Sequence, residues 1–213
     1  TQTVCLPSLR DNIMKVMETN NSIHLDSAKR VFAIEAQAVS ALSEQIDNDF
    51  CKAIEHIIAS EGRTIICGMG KSGIIGKKIA ATFASTGTPS FFMHPGEAYH
   101  GDLGMVTSED TFIAISFSGE TDEVVKLLPF LKDNGNFLVA ITGNPSSTLA
   151  RAADCHLNVG VKEEACPLQL APTSSTTTTL AMGDALAVTL MKARDFKPEN
   201  FARFHPGGSL GRR

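Results

Sequence analysis

Short apolar segments, each bounded by turn residues, limit the folds that this chain can adopt. The segments cover residues 64–67, 90–93, 111–116 and 137–142, with a weaker fifth at 155–159. Continuous apolar runs of this length are typical of strands in a parallel sheet that helices cover on both faces. The helical stretches between them cover about residues 73–85, 120–134 and 147–152. This alternation predicts a doubly wound α/β domain with a five-stranded parallel sheet flanked by helices.

Helices are also predicted on each side of the alternating region. Before it, apolar residues recur at helical spacing over residues 26–46, and either Asp26 or Ser27 is placed to cap that helix. A second helix is predicted over residues 50–60. After the sheet, a long apolar pattern predicts a helix over residues 174–194.

The length and composition indicate one globular domain with an N-terminal extension. The chain has 213 residues, of which 43% are hydrophobic and 20% are charged. Residues 1–25 lack the strong periodicity of the rest. We therefore predict an arm over residues 1–25, either loose or a short helix, and a single domain over residues 26–213.

Charge and cysteine content argue against several function classes. The net charge is −4, there is no dense run of Lys or Arg, and Trp is absent, so nucleic acid and anionic membranes are not expected partners. The five cysteines form no C-x-x-C pair, which indicates reduced thiols rather than a zinc knuckle or a redox dithiol. No apolar run approaches the roughly 20 residues of a membrane span, and no signal peptide is recognised. A cytoplasmic protein is the resulting expectation.

The segment GMGKSG at residues 68–73 combines parts of two phosphate-binding patterns. A nucleotide P-loop needs a glycine five residues before Gly70, but Ile65 stands there within a predicted strand. The dinucleotide fingerprint needs an acidic residue at the end of the second strand, which ends instead in His94 and Pro95. The sequence therefore disfavours both kinds of nucleotide site.

Two hydroxyl-rich turns favour a site for a phosphate monoester instead. The segment SFSGET follows the third strand, and PTSSTTTT precedes the last long helix. One such cluster alone would usually be ordinary helix capping. Two clusters together with a Gly-Lys loop predict a shared anion site at the carboxyl edge of the sheet, where helix N-termini present free N–H groups. The hydroxyl residues predicted to bind substrate are Ser72, Ser116, Ser118, Thr121, Ser174 and Ser175.

These motifs resemble the sugar isomerase (SIS) family of phosphosugar-binding domains, a flavodoxin-like α/β sandwich. Longer strings narrow the resemblance to the arabinose-5-phosphate isomerases: STGTPSFFMHPGEAYHGDLGM, APTSSTTTTLAMGDALAVTLM and FARFHPGGSLGRR. The match runs from about residue 28 to the end. It implies interconversion of D-ribulose 5-phosphate and D-arabinose 5-phosphate through an enediol, without a cofactor, for the sugar Kdo of lipopolysaccharide or capsule.

Aldose–ketose isomerisation needs a base, a group that stabilises the enediolate oxygen, a phosphate anchor and an acid–base pair for ring opening. By resemblance, the activity-critical positions are Lys71, Glu123, Glu164 and His205. The substrate-contacting segment of the family corresponds to Gly87, Thr88, His94 and His100. Either Glu123 or Glu164 would be the enediol base, and burial under the substrate could supply the raised pKa that a base needs near neutral pH. Lys71 would face substrate oxygens, and His205 would serve ring opening or a proton relay.

The resemblance also implies an assembly and leaves alternatives open. Family members are homotetramers with sites at subunit interfaces, so His205 is expected to act on a neighbouring subunit. His94 matches a position of inhibitory zinc binding. Many members continue after GRR into regulatory domains of the cystathionine-β-synthase type, whereas this sequence ends at Arg213, so either a natural form without them or a shortened chain is expected. The alternatives are an isomerase of another ketose phosphate and a non-catalytic phosphosugar sensor.

Overall fold

The central element is a five-stranded sheet in the order β2-β1-β3-β4-β5, and every neighbouring pair of strands is parallel. The computed structural model describes residues 9–205 and 207, with side chains from residue 21 onward. The strands are β1 (Thr64–Gly68), β2 (Ser90–Met93), β3 (Thr111–Ile115), β4 (Phe137–Thr142) and β5 (Cys155–Asn158). The predicted parallel sheet is confirmed, including its weak fifth strand.

Helices cover both faces of this sheet. They are α1 (Leu9–Gln45), α2 (Asn48–Ala59), α3 (Gly70–Ser85), α4 (Pro95–Tyr99), α5 (Asp122–Val125), α6 (Leu128–Asp133), α7 (Thr148–Ala152), α8 (Ser174–Ala193) and α9 (Pro198–Phe204). Successive strand residues point to opposite faces, so Ile66 packs with α2, α3 and α8, and Ile65 packs with α4 to α7. Of the helices described, none has the length and apolar composition of a membrane span.

Two helix predictions were wrong in their boundaries. Helix α1 does not begin at Asp26 or Ser27 but runs unbroken from Leu9, so the predicted division at residues 25 and 26 falls inside a helix. Its later turns pack against α8, where the Thr177 hydroxyl donates to the Glu35 carboxylate over 3.0 Å. The helix predicted over residues 120–134 is divided into α5 and α6, and Pro129 lies in the first turn of α6, where proline is tolerated because that N–H needs no helical partner.

The strand order reverses between β1 and β3, and this reversal positions the site. The chain leaves β1 toward the β2 edge and leaves β3 toward the β4 edge, so the two connections diverge. In open α/β sheets, such a switch point forms a crevice beyond the carboxyl ends of the strands. The loop before α3 and the turn after β3 therefore face each other across this crevice.

Candidate active site

A cavity of about 500 Å³ opens at the switch point. Its walls are the first turns of α3, the turn after β3, and the loop that leads into α8. Its charged lining residues are Lys71 and Glu164. The hydroxyl residues around them are Ser72, Ser118, Thr121, Ser175, Thr176 and Thr179. The volume suits a small molecule, and a cation, a carboxylate and many hydroxyls are suited to an anionic polyol.

The first wall is the N-terminus of α3, which follows β1 almost directly. This tight connection needs glycine, because a Cβ on Gly73 would lie 2.5 Å from the Gly68 carbonyl oxygen. The first N–H groups of a helix have no intrahelical partner and attract anions. Lys71 lies in this first turn, where its charge opposes the helix dipole. A bound anion would relieve that conflict.

The second wall is the turn after β3, which the buried Ser116 side chain stabilises through hydrogen bonds. Ser116 is only 1% exposed, its Oγ lies 2.7 Å from the Thr121 hydroxyl, and it accepts the Gly119 N–H over 3.0 Å. Ser118 and Thr121 line the cavity, whereas Ser116 does not. Of the three hydroxyls predicted in this turn, the structure therefore brings two to the cavity and places the third beneath it.

Helix α7 supports this turn from behind. The Leu149 N–H donates to the Gly119 carbonyl over 3.1 Å, and the Thr148 N–H donates to Glu120 Oε1 over 2.7 Å. The hydrogen bond from Thr148 lowers the pKa of Glu120 below its usual value. Glu120 thus joins the turn to α7, a role that its place in SFSGET did not reveal because its partner lies 28 residues away.

The third wall contains Glu164, whose carboxylate occupies the N-terminus of α8. Its Oε2 accepts the Thr173 N–H at 2.7 Å, the Thr173 hydroxyl at 2.9 Å and the Ser175 N–H at 3.2 Å. Burial opposes the charge, but the hydrogen bonds from Ser175 and Thr173 outweigh it and lower the pKa of Glu164. Glu164 is therefore ionised at neutral pH in this structure, and a pKa raised by burial under the substrate stays a prediction.

The hydrogen bonds to Glu164 occupy N–H groups of the Thr-rich turn that the sequence predicted to bind an anion. The N–H groups of Thr173 and Ser175 bond Glu164, so they are not free to bind a phosphate. Ser175 lines the cavity. Ser174 is fully buried, and its Oγ has no hydrogen-bond partner within the described part of the chain. The side chains of Thr176 and Thr179 also line the cavity, together with residues of α3 and of the turn after β3.

Three further predicted residues lie at the same edge of the sheet but do not line the cavity. Helix α4 packs against α5, so the segment from His94 to His100 lies beside the short helix that contains Glu123. Glu123 is half-buried, and both histidines are exposed. His94 Nδ1 accepts the Gly96 N–H over 3.2 Å and caps α4. Across the described residues, no three His, Cys, Asp or Glu side chains are grouped to hold a metal.

The remaining predicted residues lie at the opposite, amino edge of the sheet. Gly87 and Thr88 lie in the loop before β2, and a Cβ on Gly87 would lie 2.6 Å from the Phe196 ring. Phe196 stacks on Phe204, which places His205 at this edge too. Strands of five residues separate the two edges by about 15 Å. Gly87, Thr88 and His205 therefore do not reach the cavity of their own chain.

His205 is nevertheless held in a defined orientation. Its ring stacks on Phe201 with centroids 3.9 Å apart, and its Nδ1 lies 2.9 Å from the Phe201 carbonyl oxygen. A carbonyl oxygen only accepts, so Nδ1 carries the hydrogen, and in the neutral ring Nε2 is the basic nitrogen. The fold thus fixes the tautomer of a potential acid–base group.

Comparison with known proteins identifies the family. The SIS domain family model matches residues 57–189, which include all five strands. The chain belongs to the SIS domain family. Over 200 residues it is 56% identical to arabinose 5-phosphate isomerase KdsD of Pseudomonas aeruginosa PAO1, covering 94% of this chain and 61% of that protein. Over 187 residues it is 59% identical to KdsD of Escherichia coli K12, covering 88% of this chain and 57% of that protein.

A solved structure extends this similarity to the whole fold. A protein of E. coli CFT073 in complex with arabinose 5-phosphate superposes with a TM-score of 0.83 at 44% identity, covering 88% of this SIS chain and 98% of that chain. By contrast, the SIS chain spans only about three fifths of the length of the two curated relatives.

Proposed function

We propose that this SIS protein interconverts D-ribulose 5-phosphate and D-arabinose 5-phosphate through an enediol. The observation that carries the proposal is the cavity at the switch point, where Lys71 and Glu164 lie among hydroxyl side chains. High identity to two proteins named arabinose 5-phosphate isomerase supports the choice of substrate. The similar fold solved with arabinose 5-phosphate supports the same class of ligand.

The phosphate group is proposed to bind between the N-terminus of α3 and the turn after β3. Ser72, Ser118 and Thr121 line this part of the cavity, and hydroxyl and backbone N–H donors suit phosphate oxygens. Glu164 bonds the N–H groups of Thr173 and Ser175, so its carboxylate lies on the α8 side of the cavity. The sugar carbons would then extend from the anchor toward Glu164.

Glu164 is proposed to be the enediol base. It is a cavity-lining carboxylate that is ionised at neutral pH, so it can take the proton from C2 of the aldose and return it to C1 of the ketose. Lys71 lines the same cavity and would stabilise the negative oxygen of the enediolate. Glu123, which does not line the cavity, would act from beside it together with His94 and His100.

Residues at the amino edge are proposed to serve the cavity of another subunit. His205, Gly87 and Thr88 are too far from their own cavity, so a homotetramer in which edges of different copies meet would bring them to it. The basic Nε2 of His205 would then open the sugar ring or relay a proton.

We further propose that the protein works in the cytoplasm to supply Kdo for lipopolysaccharide or capsule, and that His94 is a point of zinc inhibition.

Proton NMR of the protein with ribulose 5-phosphate in deuterated buffer tests the proposal. The expected result is a new anomeric signal of arabinose 5-phosphate, with deuterium at C2 from solvent exchange at the enediol. The Glu164→Gln variant should give no such signal. If no aldose appears but the substrate raises the melting temperature, the domain is a sensor. If neither happens, longer ketose phosphates are the next substrates to assay.

A further inference from the structure

The backbone of Glu164 needs an anchor of its own. Its carboxylate is fixed by α8, but its main chain lies in an irregular loop between the end of β5 at Asn158 and the start of α8 at Ser174. No ladder of strand or helix hydrogen bonds fixes such a segment. A base must nevertheless be held close to its reacting geometry, because small displacements lower the rate strongly.

The side chain of Gln169 supplies this anchor. Its Oε1 accepts the Glu164 N–H over 2.8 Å, and its Nε2 donates to the Glu164 carbonyl over 2.7 Å. Nε2 also donates to the Cys166 carbonyl over 3.0 Å. One amide therefore bonds both polar groups of the same backbone residue, which fixes its position and the orientation of its peptide planes.

The loop accepts an unfavourable backbone conformation at this residue. Gln169 has φ of 55°, in the left-handed region that few residues other than glycine adopt. Packing of the neighbouring side chains does not impose this conformation, because Leu168 and Leu170 are 74% and 79% exposed. Residues held in such conformations cluster at functional sites. Gln169 also lines the cavity itself.

We propose that Gln169 is a positioning residue. Its side-chain amide bonds the N–H and the carbonyl of Glu164 and thereby fixes the direction of the Glu164 carboxylate. The proposal rests on the proposed role of Glu164 as the base. Gln169 acts through Glu164 and not on the substrate, so it should govern the chemical step more than substrate binding.

The test uses Gln169→Asn. Asparagine tolerates the left-handed region, so the loop keeps its backbone, but the side chain is one methylene too short to bracket Glu164. We expect kcat to fall by about 10-fold to 100-fold and KM to stay within about twofold. Gln169→Gly, which allows the same φ without any side chain, should show the same pattern. Gln37→Asn makes the same change on the exposed side of α1 and should leave kcat and KM unchanged.

Each outcome has a distinct meaning when the melting temperature of every variant is measured as well. A lower kcat with the melting temperature and KM retained supports the positioning role. An unchanged kcat in both Gln169 variants overturns it, and so does a raised KM alone, which would make Gln169 a substrate contact. If the unmodified chain does not isomerise the substrate, the proposed function fails first, and the positioning role fails with it.

Discussion

The Oε2 atom of Glu164 accepts hydrogen bonds from both the backbone nitrogen and the hydroxyl of Thr173, at 2.7 and 2.9 Å. Thr173 is the residue just before α8, so the carboxylate lies at the positive end of that helix dipole. Both effects stabilise the charged form of Glu164. The site therefore keeps its proposed base ionised at neutral pH and fixed in direction.

Replacing Thr173 by valine should move the acid limb of the pH–rate profile to higher pH. Valine keeps the shape of threonine but removes the hydroxyl that lowers the pKa of Glu164. A base is active when it is deprotonated, so activity is lost as pH falls through its pKa. A higher pKa shifts that loss upward. The measurement is kcat/KM for ribulose 5-phosphate across the acid range.

Thr173→Ser is the matched control, because serine keeps the hydroxyl. Its acid limb should stay near that of the unmodified protein. If the valine variant loses activity equally at every pH, without a shift of the limb, then Glu164 is not the group that titrates in the free enzyme.

Replacing Lys71 by methionine should lower kcat/KM by about 100-fold or more, because it removes the cation proposed to stabilise the enediolate. Methionine keeps an unbranched side chain, one atom shorter than that of lysine, and suits a helix. Lys77→Met makes the same change on α3 at an exposed residue that does not line the cavity. Equal activity of the two variants would remove Lys71 from the mechanism.

The sheet was predictable because each strand is buried on both faces, and such strands consist of consecutive apolar residues. The start of α1 was not, because apolar residues on its early turns, such as Ile23 and Leu25, remain exposed and leave no clear periodic stripe. The break before α6 was hidden because the apolar pattern continues through Pro129. The apolar periodicity of a sequence reflects which residues are buried. It therefore predicts the boundaries of helices and strands well only where the residues at those boundaries are buried.

The site was predictable where motifs end a strand or begin a helix. Lys71 and Ser118 fall at such points, and the switch point brings them together. Gln169 was missed because its role depends on hydrogen bonds within an irregular loop, which leave no periodic signal. The family motifs also marked Gly87 and His205, but a motif does not say whether such residues reach the cavity of their own chain or that of another copy.

Gly119→Ala should disrupt the turn after β3. A Cβ there would lie 2.0 Å from Ser147 Oγ, and φ at Gly119 is +69°, so alanine adds both a clash and backbone strain. We expect a loss of about 2–4 kcal/mol in the free energy of unfolding and a raised KM. Thermal denaturation and steady-state kinetics measure the two effects.

Gly135→Ala separates the clash from the strain. Gly135 has a similar φ of +77°, but a Cβ there would meet nothing within 4 Å. This variant should lose only about 1 kcal/mol and keep its KM. Equal losses in the two alanine variants would show that the contact with Ser147 does not hold the turn.

Mixing two inactive variants should restore activity if His205 serves the cavity of another subunit. Lys71→Ala removes a group of the cavity, and His205→Ala removes a group at the opposite edge of the sheet. In a mixed assembly, some sites combine an intact Lys71 from one chain with an intact His205 from another. Random mixing of equal amounts makes about one quarter of the sites intact in this way, which sets the expected recovery.

The two variants should be co-expressed with different affinity tags, so that mixed assemblies can be purified by two successive steps. Each variant alone provides the baseline. Recovery well above both baselines supports catalysis by His205 in trans, because no single chain in the mixture is complete. If doubly purified assemblies stay at the baseline, His205 must act within its own chain, which would require α9 to leave its contact with Phe196 and reach the other edge.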